Sequence, residues 1–463
     1  MMSQAIAIFG AIQGELLLFG AFWFLVGAID DLCIDVAWIG IQVSRRFGTS
    51  RIESLSDGQG KGQEGPMAVF VPVWAESAVI GTMLQNCLVS WKDSPHLHYI
   101  YVGYYPNDPA SRDCIMDVAK NAPHIRPVLI DHDGPTTKAD SLNSLWAALV
   151  EDERAGGYTN TAIILHDAED AVHPDELAIF DQLIGEYAAV QLPVIPIRTQ
   201  GSLWVSGHYC DEFAESHGKT MVVREALGAA LPLAGVGCAI ERVMLGRIAA
   251  QNGGKPFDDS SLTEDYELGL RVGALGGRTK MARSTGRDGR LVGTRSCFPE
   301  TLSASVRQKS RWLTGIAFAG WDRLGWHGGL AQKWMLLHDR RSIFAALVIF
   351  LAYAGIASFL LELLFATENY FLSRPIPPIL RNLLLVNSLF LFWRLGVRVA
   401  FVASVYGPAE AALSILRVVV ANLIAILSAR RAFATYLRHC FGAPLRWDKT
   451  EHIVVPVPPR GAR

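Results

Sequence analysis

"AIILHDAEDAVHPDE" occupies Ala162 to Glu176, and its first half decides how the chain is read. Four apolar residues, Ala162 to Leu165, run directly into Asp167, Glu169 and Asp170. A short apolar run of this kind reads as a strand. Clustered carboxylates repel one another, so the acids that follow are either a solvated loop or the ligands of a cation. Oxygen donors select a hard ion such as Mg²⁺ or Mn²⁺, which is commonly shared with substrate phosphates.

Working outward, the neighbouring segments alternate between two periods. "MAVFVPV", "HYIYVGYY" and "PVLID" read as further strands, so the Ala162 run is the fourth. Ile80, Leu84, Leu88 and Trp91 trace one face of a helix, and Leu142, Leu145, Trp146 and Leu149 trace another. Strands alternating with helices imply a mainly parallel sheet covered on both faces. Ligands of such sheets bind beyond the carboxyl ends of the strands. Glu76, Asn107 and Asp108, and Asp167, Glu169 and Asp170 all collect at those ends. "GPTTKADSLN" (Gly134 to Asn143) adds a helix start with Lys138 in its first turn. Free N–H groups and a lysine there suit a diphosphate; a plain capping turn is the alternative.

Two later motifs belong with these. "SLTEDYELGLR" places Ser261 and Glu264 at capping-box spacing, so a helix is expected to start there. Asp265 then lies near the helix start, where the dipole favours its ionised form, and such a carboxylate can take a proton from a hydroxyl. "RQKSRW" carries Gln308, Arg311 and Trp312 on one helix, either at one end of a cleft or on a membrane surface. His166, His173, His208 and His217 match no metal-ligand spacing and read as structural.

Composition sets the surroundings. The chain has 463 residues, 51% of them hydrophobic, and a net charge of −2, which offers no basic footprint for nucleic acid. Its seven cysteines form no C-x-x-C pair, which argues against a disulfide framework or a zinc site. Residues 5–29 carry a single charge, Glu15, and are long enough to cross a bilayer. Arg45, Arg46 and Arg51 follow, which places the next domain in the cytoplasm. Residues 342–366 and about 383–405 read as two further spans. Residues 408–429, interrupted by Arg417 and Asn422, read as an amphipathic helix in the inner interface. "DDLCID" (Asp30 to Asp35) holds either capping and interfacial acids or a regulatory contact.

The expected organisation is therefore an N-terminal transmembrane helix and juxtamembrane segment over residues 1–46 and a linker over 47–66. A soluble domain over 67–330, membrane and interfacial helices over 331–441 and a cytoplasmic tail over 442–463 complete it. The Pro-rich "VVPVPPRGAR" is too short for a regulatory module, so control is expected through a separate subunit.

The ordered set of D-x-E after a strand, then T-E-D, then Q-x-x-R-W, between membrane helices, resembles membrane-bound family-two glycosyltransferases. Cellulose and hyaluronan synthases share this pattern. "GPTTKADSLN", "LHDAED", "HGKTMVVREAL", "AGVGC", "SLTEDYELG", "VRQKSRW" and "WDKTEH" look like the glycosyltransferase portion of the bacteriophage-adsorption B proteins of bacterial inner membranes. That likeness covers nearly the whole chain.

The resemblance implies a GT-A fold, Rossmann-like with a mainly parallel sheet, and an inverting transfer from a nucleotide-sugar. The donor would be a UDP-sugar, with an N-acetylhexosamine as one form, and the product a β-linked polysaccharide. Asp167 and Glu169 match the metal motif for Mg²⁺ or Mn²⁺, with Asp170 as the alternative second ligand because the usual Asp is Glu169. Asp265 matches the catalytic base, with Glu264 beside it. Glu76, Asp108, Lys138 and Asp167 fall where the family contacts the nucleotide. Gln308, Arg311 and Trp312 match the motif holding acceptor and diphosphate, and Gly235 and Gly237 of "AGVGC" border the acceptor. The partners implied are the donor, a glycan or lipid-linked acceptor, the bilayer, and a second copy or an export or regulatory subunit. Transfer to a lipid phosphate without polymerisation, or a silent receptor or scaffold, are the competing readings.

Overall fold

The computed structural model describes residues 2–47, 65–199, 201–365 and 376–445. The linker segment from Ser54 and the "WDKTEH" segment therefore fall almost wholly outside the described residues.

Strands β1 (Met67–Pro72), β2 (His98–Tyr104), β3 (Ile125–Leu129) and β4 (Ala162–Leu165) form where the apolar runs lie. They alternate with helices α2 (Ile80–Ser90), α3 (Pro109–Ala119) and α4 (Lys138–Gly156), which follow helix α1 (Met2–Phe47). After α5 (Glu176–Leu183), strands β5 (Ala189–Gln191), β7 (Cys238–Glu241) and β8 (Thr279–Met281) complete a seven-stranded sheet of order β3-β2-β1-β4-β7-β5-β8. β1 pairs in parallel with β2 and β4, and β7 runs antiparallel to both its neighbours. β6 (Val194–Ile197) and β9 (Thr294–Cys297) make a separate two-stranded sheet.

The central strands are buried on both faces, which is why they read as unbroken apolar runs. Val69, Val71 and Ile164 point into one layer with Ile80, Leu84 and Phe180. Ala68, Phe70 and Ile163 point into the other with Leu142, Leu145 and Leu149. Everything polar on β1 and β4 is thereby displaced to their carboxyl ends.

Four helices among the described residues are long and apolar enough to cross a membrane: α1, Ser342–Leu361, Pro378–Tyr406 and Pro408–Cys440. That is one more than the sequence led us to expect, and Pro408–Cys440 is one unbroken helix. Its bonds show an unusual placement. Near its start, Glu410 pairs with Arg198, and Arg417 pairs with Asp211. Near its end, the Tyr436 hydroxyl donates to Asp322. The start of this stretch of about 39 Å therefore rests on the sheet-bearing part, and its end on the short helix Ala319–Leu324 that follows it.

The charges that interrupt the apolar helices dock onto helix α6 (Val205–Glu215). Arg417, fully buried, pairs with Asp211 at 2.9 Å and also with Glu410. Arg394 pairs with Glu215 at 2.8 Å, and Glu215 also holds Lys219 at 2.7 Å. Lys219 reaches Asp35 of α1, whose other oxygen accepts from the Trp393 indole. Asp30 accepts from Trp334 and His338, and Asp31 pairs with Arg341. "DDLCID" is thus a set of interfacial acids joining α1 to the rest.

Removing one partner of a buried pair strands the other charge. Arg417→Met should destabilise the protein by roughly 3–5 kcal/mol, and adding Asp211→Leu should restore most of that loss. Chemical denaturation of the detergent-solubilised protein, followed by tryptophan fluorescence, measures both.

Candidate active site

The strand ends open into a cavity of about 400 Å³. It is lined by Glu76, Lys138, Asp167, Glu169, Glu264 and Asp265, and at its other end by Gln308, Arg311 and Trp312. Residues separated by more than two hundred positions therefore meet in one cleft.

The side chains arrive in groups on separate elements. β4 ends at Leu165 and delivers Asp167 and Glu169 on the following turn. Helix α4 starts at Lys138, capped by Thr137, whose hydroxyl oxygen accepts from the Asp140 amide. The Lys138 ammonium lies 2.5 Å from Asp167 and donates to the Gly235 carbonyl at 3.1 Å. Helix α9 (Glu264–Ala274) begins at Glu264 and puts Asp265 in its first turn. The start signal departs from the capping box: Thr263 is the cap residue, and the Ser261 hydroxyl donates to Glu267 instead of the helix amides. After α7 (Met221–Ala226) and α8 (Arg242–Gln251), helix α10 (Leu302–Leu313) carries Gln308, Arg311 and Trp312.

Burial and neighbouring charges set the protonation of Glu264, Asp265 and Lys138. Burial, then Asp265, pushes Glu264 up to about 7, with Lys138 opposing. Burial also holds Asp265 above the usual carboxylate range, against the pull of Lys138 and Arg311. The helix dipole was expected to keep Asp265 readily ionised; desolvation outweighs it here. Lys138 moves the other way: burial lowers its proton affinity, but Asp167, Glu264 and Asp265 raise it well above the ordinary lysine value.

The structure separates the expected residues into two groups. Glu76, Lys138, Asp167, Glu169, Glu264, Asp265, Gln308, Arg311 and Trp312 come together around the cavity. Asp108 does not join them. Its carboxylate accepts from the Ser111 amide as the cap of α3, and from the Ala75 amide at 2.6 Å. Ala75 has φ +51, so Asp108 holds a strained turn between Trp74 and Glu76 in place. Asp170 also turns away. One oxygen accepts from the Asp167 amide and faces the His166 ring, and the other accepts from the Ser296 hydroxyl.

The two glycines differ as well. A Cβ at Gly235, which has φ +73, would lie 2.6 Å from an Asp265 oxygen. Gly235 therefore sits against the expected base, and its small size lets the carboxylate fit. Gly237, with φ +56, is packed against Thr294 of β9 behind the cavity wall. The four histidines bind apart from one another. His166 lies between Asp170 and Glu176, where burial lowers its proton affinity but the two acids push it up to about 10. His173 sits beside Asp175, His208 beside Glu212, and His217 accepts from the Val194 amide.

Sequence reasoning missed the aromatic lining. Trp74 and Tyr105 form one wall, edge to face with ring centres 5.2 Å apart, and each directly follows a strand region. That position beyond β1 and β2 was the signal that could have found them. Phe213 and Phe298 line the Trp312 end and pack on each other at 5.0 Å. Nothing in their local sequence pattern marks them.

Asp167 and Glu169 present carboxylate oxygens on one short turn that lines the cavity beside Lys138, a donor set that fits a divalent ion keeping positions for phosphate oxygens. A tighter group of possible ligands among the described residues, Asp30, Asp31 and His338, lies far along the chain at the α1 boundary. Those acids pair with Arg341, Trp334 and His338 outside the cavity, whereas Asp167 and Glu169 line it.

Known proteins were then compared with the chain. It is 34% identical over 454 residues to bacteriophage adsorption protein B of Escherichia coli strain K12, covering 92% of this chain and 60% of that protein. Bacteriophage N4 adsorption protein B of E. coli O157:H7 matches to the same extent. The chain thus spans about 60% of the length of the curated relatives it matches. Among solved structures it is similar to the mannosyltransferase PcManGT from Pyrobaculum calidifontis, in complex with GDP-Man and Mn²⁺. The TM-score is 0.54 at 13% identity, covering 87% of this chain and 99% of that one. That likeness establishes the GT-A fold. Residues 65–315 match the model of the glycosyltransferase-like family 2, which takes in the whole sheet and every residue of the cleft, so the chain belongs to family-two glycosyltransferases.

Proposed function

We propose that the protein transfers a sugar, with inversion, from a nucleoside diphosphate donor to an acceptor hydroxyl at the cytoplasmic face of a bacterial inner membrane. The observation that carries this reading is the single cleft in which Lys138, Asp167, Glu169, Asp265, Gln308, Arg311 and Trp312 meet. Lys138 and Arg311 are the cations to which a diphosphate would bind, and Asp167 and Glu169 would hold Mg²⁺ or Mn²⁺ against its oxygens. When bound, that ion supplies charge neutralisation for the departing diphosphate.

The remaining chemistry belongs to the side chains. Asp265 accepts the proton of the acceptor hydroxyl as the new C–O bond forms at the anomeric carbon and the bond to the diphosphate breaks on the opposite face. An α-linked donor then yields a β-linked product. Trp312, with Phe213 and Phe298, offers aromatic faces on which an acceptor sugar ring can rest. That stacking favours a growing glycan as acceptor. The PcManGT complex contains GDP-Man and Mn²⁺, which supports a nucleotide-sugar and a divalent ion in this fold. We take the donor here to be a UDP-sugar.

The membrane arrangement follows from the same contacts. α1, Ser342–Phe365 and Pro378–Tyr406 would cross the bilayer, with Arg394 and Arg398 at the inner end of the last. Pro408–Cys440 would lie along the inner interface, since Glu410, Arg417 and Tyr436 all bond the catalytic domain. A helix crossing the bilayer would carry one of its ends away from that domain.

Asp265→Asn should lower kcat by roughly 10²–10⁴-fold while leaving UDP affinity near that of the unaltered protein. Because burial raises the proton affinity of the Asp265–Glu264 pair, the pair keeps a proton to higher pH than free carboxyls do. Activity should therefore fall as pH drops, and at a higher pH than free carboxyls would give; a pH profile of kcat/KM that stays flat until the ordinary carboxylate range would refute the base assignment.

Asp167→Ala should remove the Mn²⁺-dependent part of UDP binding, because the phosphate charge would then face the remaining acids directly. Calorimetry with and without Mn²⁺ shows this, and equal affinities for variant and unaltered protein would overturn the metal reading.

A further inference from the structure

Beneath the Asp167–Glu169 turn lies a buried polar chain that no step above uses. His166 stands between two carboxylates, 3.0 Å from Asp170 through Nδ1 and 2.5 Å from Glu176 through Nε2. The three side chains are between 0% and 1% exposed, so none of them meets solvent or the cavity. Asp170 continues the chain in two directions: the Asp167 amide donates to Oδ2 at 3.0 Å, and the Ser296 hydroxyl donates to Oδ1. The Asp170 amide in turn donates to the Asp167 carbonyl at 3.2 Å, which closes the turn. Two reciprocal bonds between Ala171 and Arg295, at 2.8 and 3.0 Å, tie it to β9.

This arrangement joins three elements through one carboxylate. Glu176 opens α5, His166 follows β4, and Ser296 belongs to β9. Asp167 and Ser296 both line the cavity, so a shift of Asp170 would move two of its walls together. Burying two carboxylates with one imidazole is costly unless geometry and hydrogen bonding are complete, and here every connection is made. A turn held so firmly suits a site whose oxygens must keep one position. Groups that orient metal ligands from behind typically change metal affinity by roughly 10–100-fold when removed.

We propose that His166 and Asp170 are positioning residues: His166 fixes Asp170, and Asp170 holds the Asp167 turn in the geometry that binds the divalent ion. This rests on the metal reading above and assigns Asp170 a role other than ligand. The side chains that meet the ion are Asp167 and Glu169, and the His166–Asp170 pair acts only through the Asp167 turn and through Ser296.

The test uses the full chain in detergent micelles, titrated with UDP in the presence and absence of Mn²⁺, with the melting temperature recorded alongside. His166→Gln, which can donate to one carboxylate but not both, should weaken Mn²⁺-dependent UDP binding by about tenfold or more. Metal-free UDP binding should stay within twofold, a difference that general loosening of the fold would not produce. Ser296→Ala leaves the histidine and both acids in place and carries the test if His166→Gln fails to fold; it should cost about fivefold, the worth of one hydrogen bond. Asp170→Asn keeps the shape and an oxygen for the Asp167 amide, and should retain Mn²⁺ dependence.

If Asp170→Asn loses Mn²⁺ dependence as fully as Asp167→Ala does, Asp170 is a ligand and the proposal is wrong. Ser296→Ala binding at the unaltered affinity with Mn²⁺ would also overturn it. No Mn²⁺ dependence in the unaltered protein would instead overturn the metal reading itself, and the inference with it.

Discussion

The ion pair between Lys138 and Asp167 is the contact on which the cleft depends. Asp167, Glu169, Glu264 and Asp265 all line the same cavity, and without a cation among them their charges would drive the walls apart. Lys138 lies 2.5 Å from Asp167 and reaches across to the Gly235 carbonyl, so one side chain ties the turn after β4 to the loop before β7. The lysine stands at the first position of α4, placed there by the Thr137 cap. Burial does the rest. It raises the proton affinity of Glu264 and Asp265, so that the cleft is less negative than its count of acids would suggest.

A second constraint comes from the membrane side. Helix α6 has two faces with different tasks. Asp211 and Glu215 pair with Arg417 and Arg394 of the apolar helices, while Phe213 on the other side lines the cavity beside Trp312. The arginines that interrupt those apolar stretches are thereby explained without placing a charge in lipid. Lys219 and Asp35 extend the same network to α1. The sheet-bearing domain is clamped to the long apolar helices by charge pairs, and the aromatic end of the cleft is built directly on that clamp.

The one non-glycine residue of positive φ among the described residues lies beside these contacts. Ala75 takes φ +51 directly after β1, held by Asp108, and Gly235 takes φ +73 against Asp265. In both places the chain turns sharply so that a side chain or carbonyl can face the cavity. Asp108 thus serves the cleft through the turn that it braces.

The alternation of strand and helix, the buried runs Met67–Pro72 and Ala162–Leu165, and the acids at their ends were legible in the linear pattern. So were the helix start that carries Asp265 and the helix that carries Gln308, Arg311 and Trp312, because periodicity and local spacing are properties of neighbouring residues; their meeting in the cleft was implied only by the family resemblance. Which acid faces the cavity was not legible. Asp167, Glu169 and Asp170 are close in sequence, and only the position of His166, Ser296 and Glu176 turns Asp170 inward to the core. The same holds for Gly237, separated from Gly235 by one residue but packed on Thr294. Phe213 and Phe298 reach the cleft from α6 and from the end of β9, a meeting that no local pattern encodes. Local sequence determines which segments are buried and where polar groups are left over. Long-range packing alone decides which of those groups point at one another, because orientation depends on neighbours supplied by distant parts of the chain.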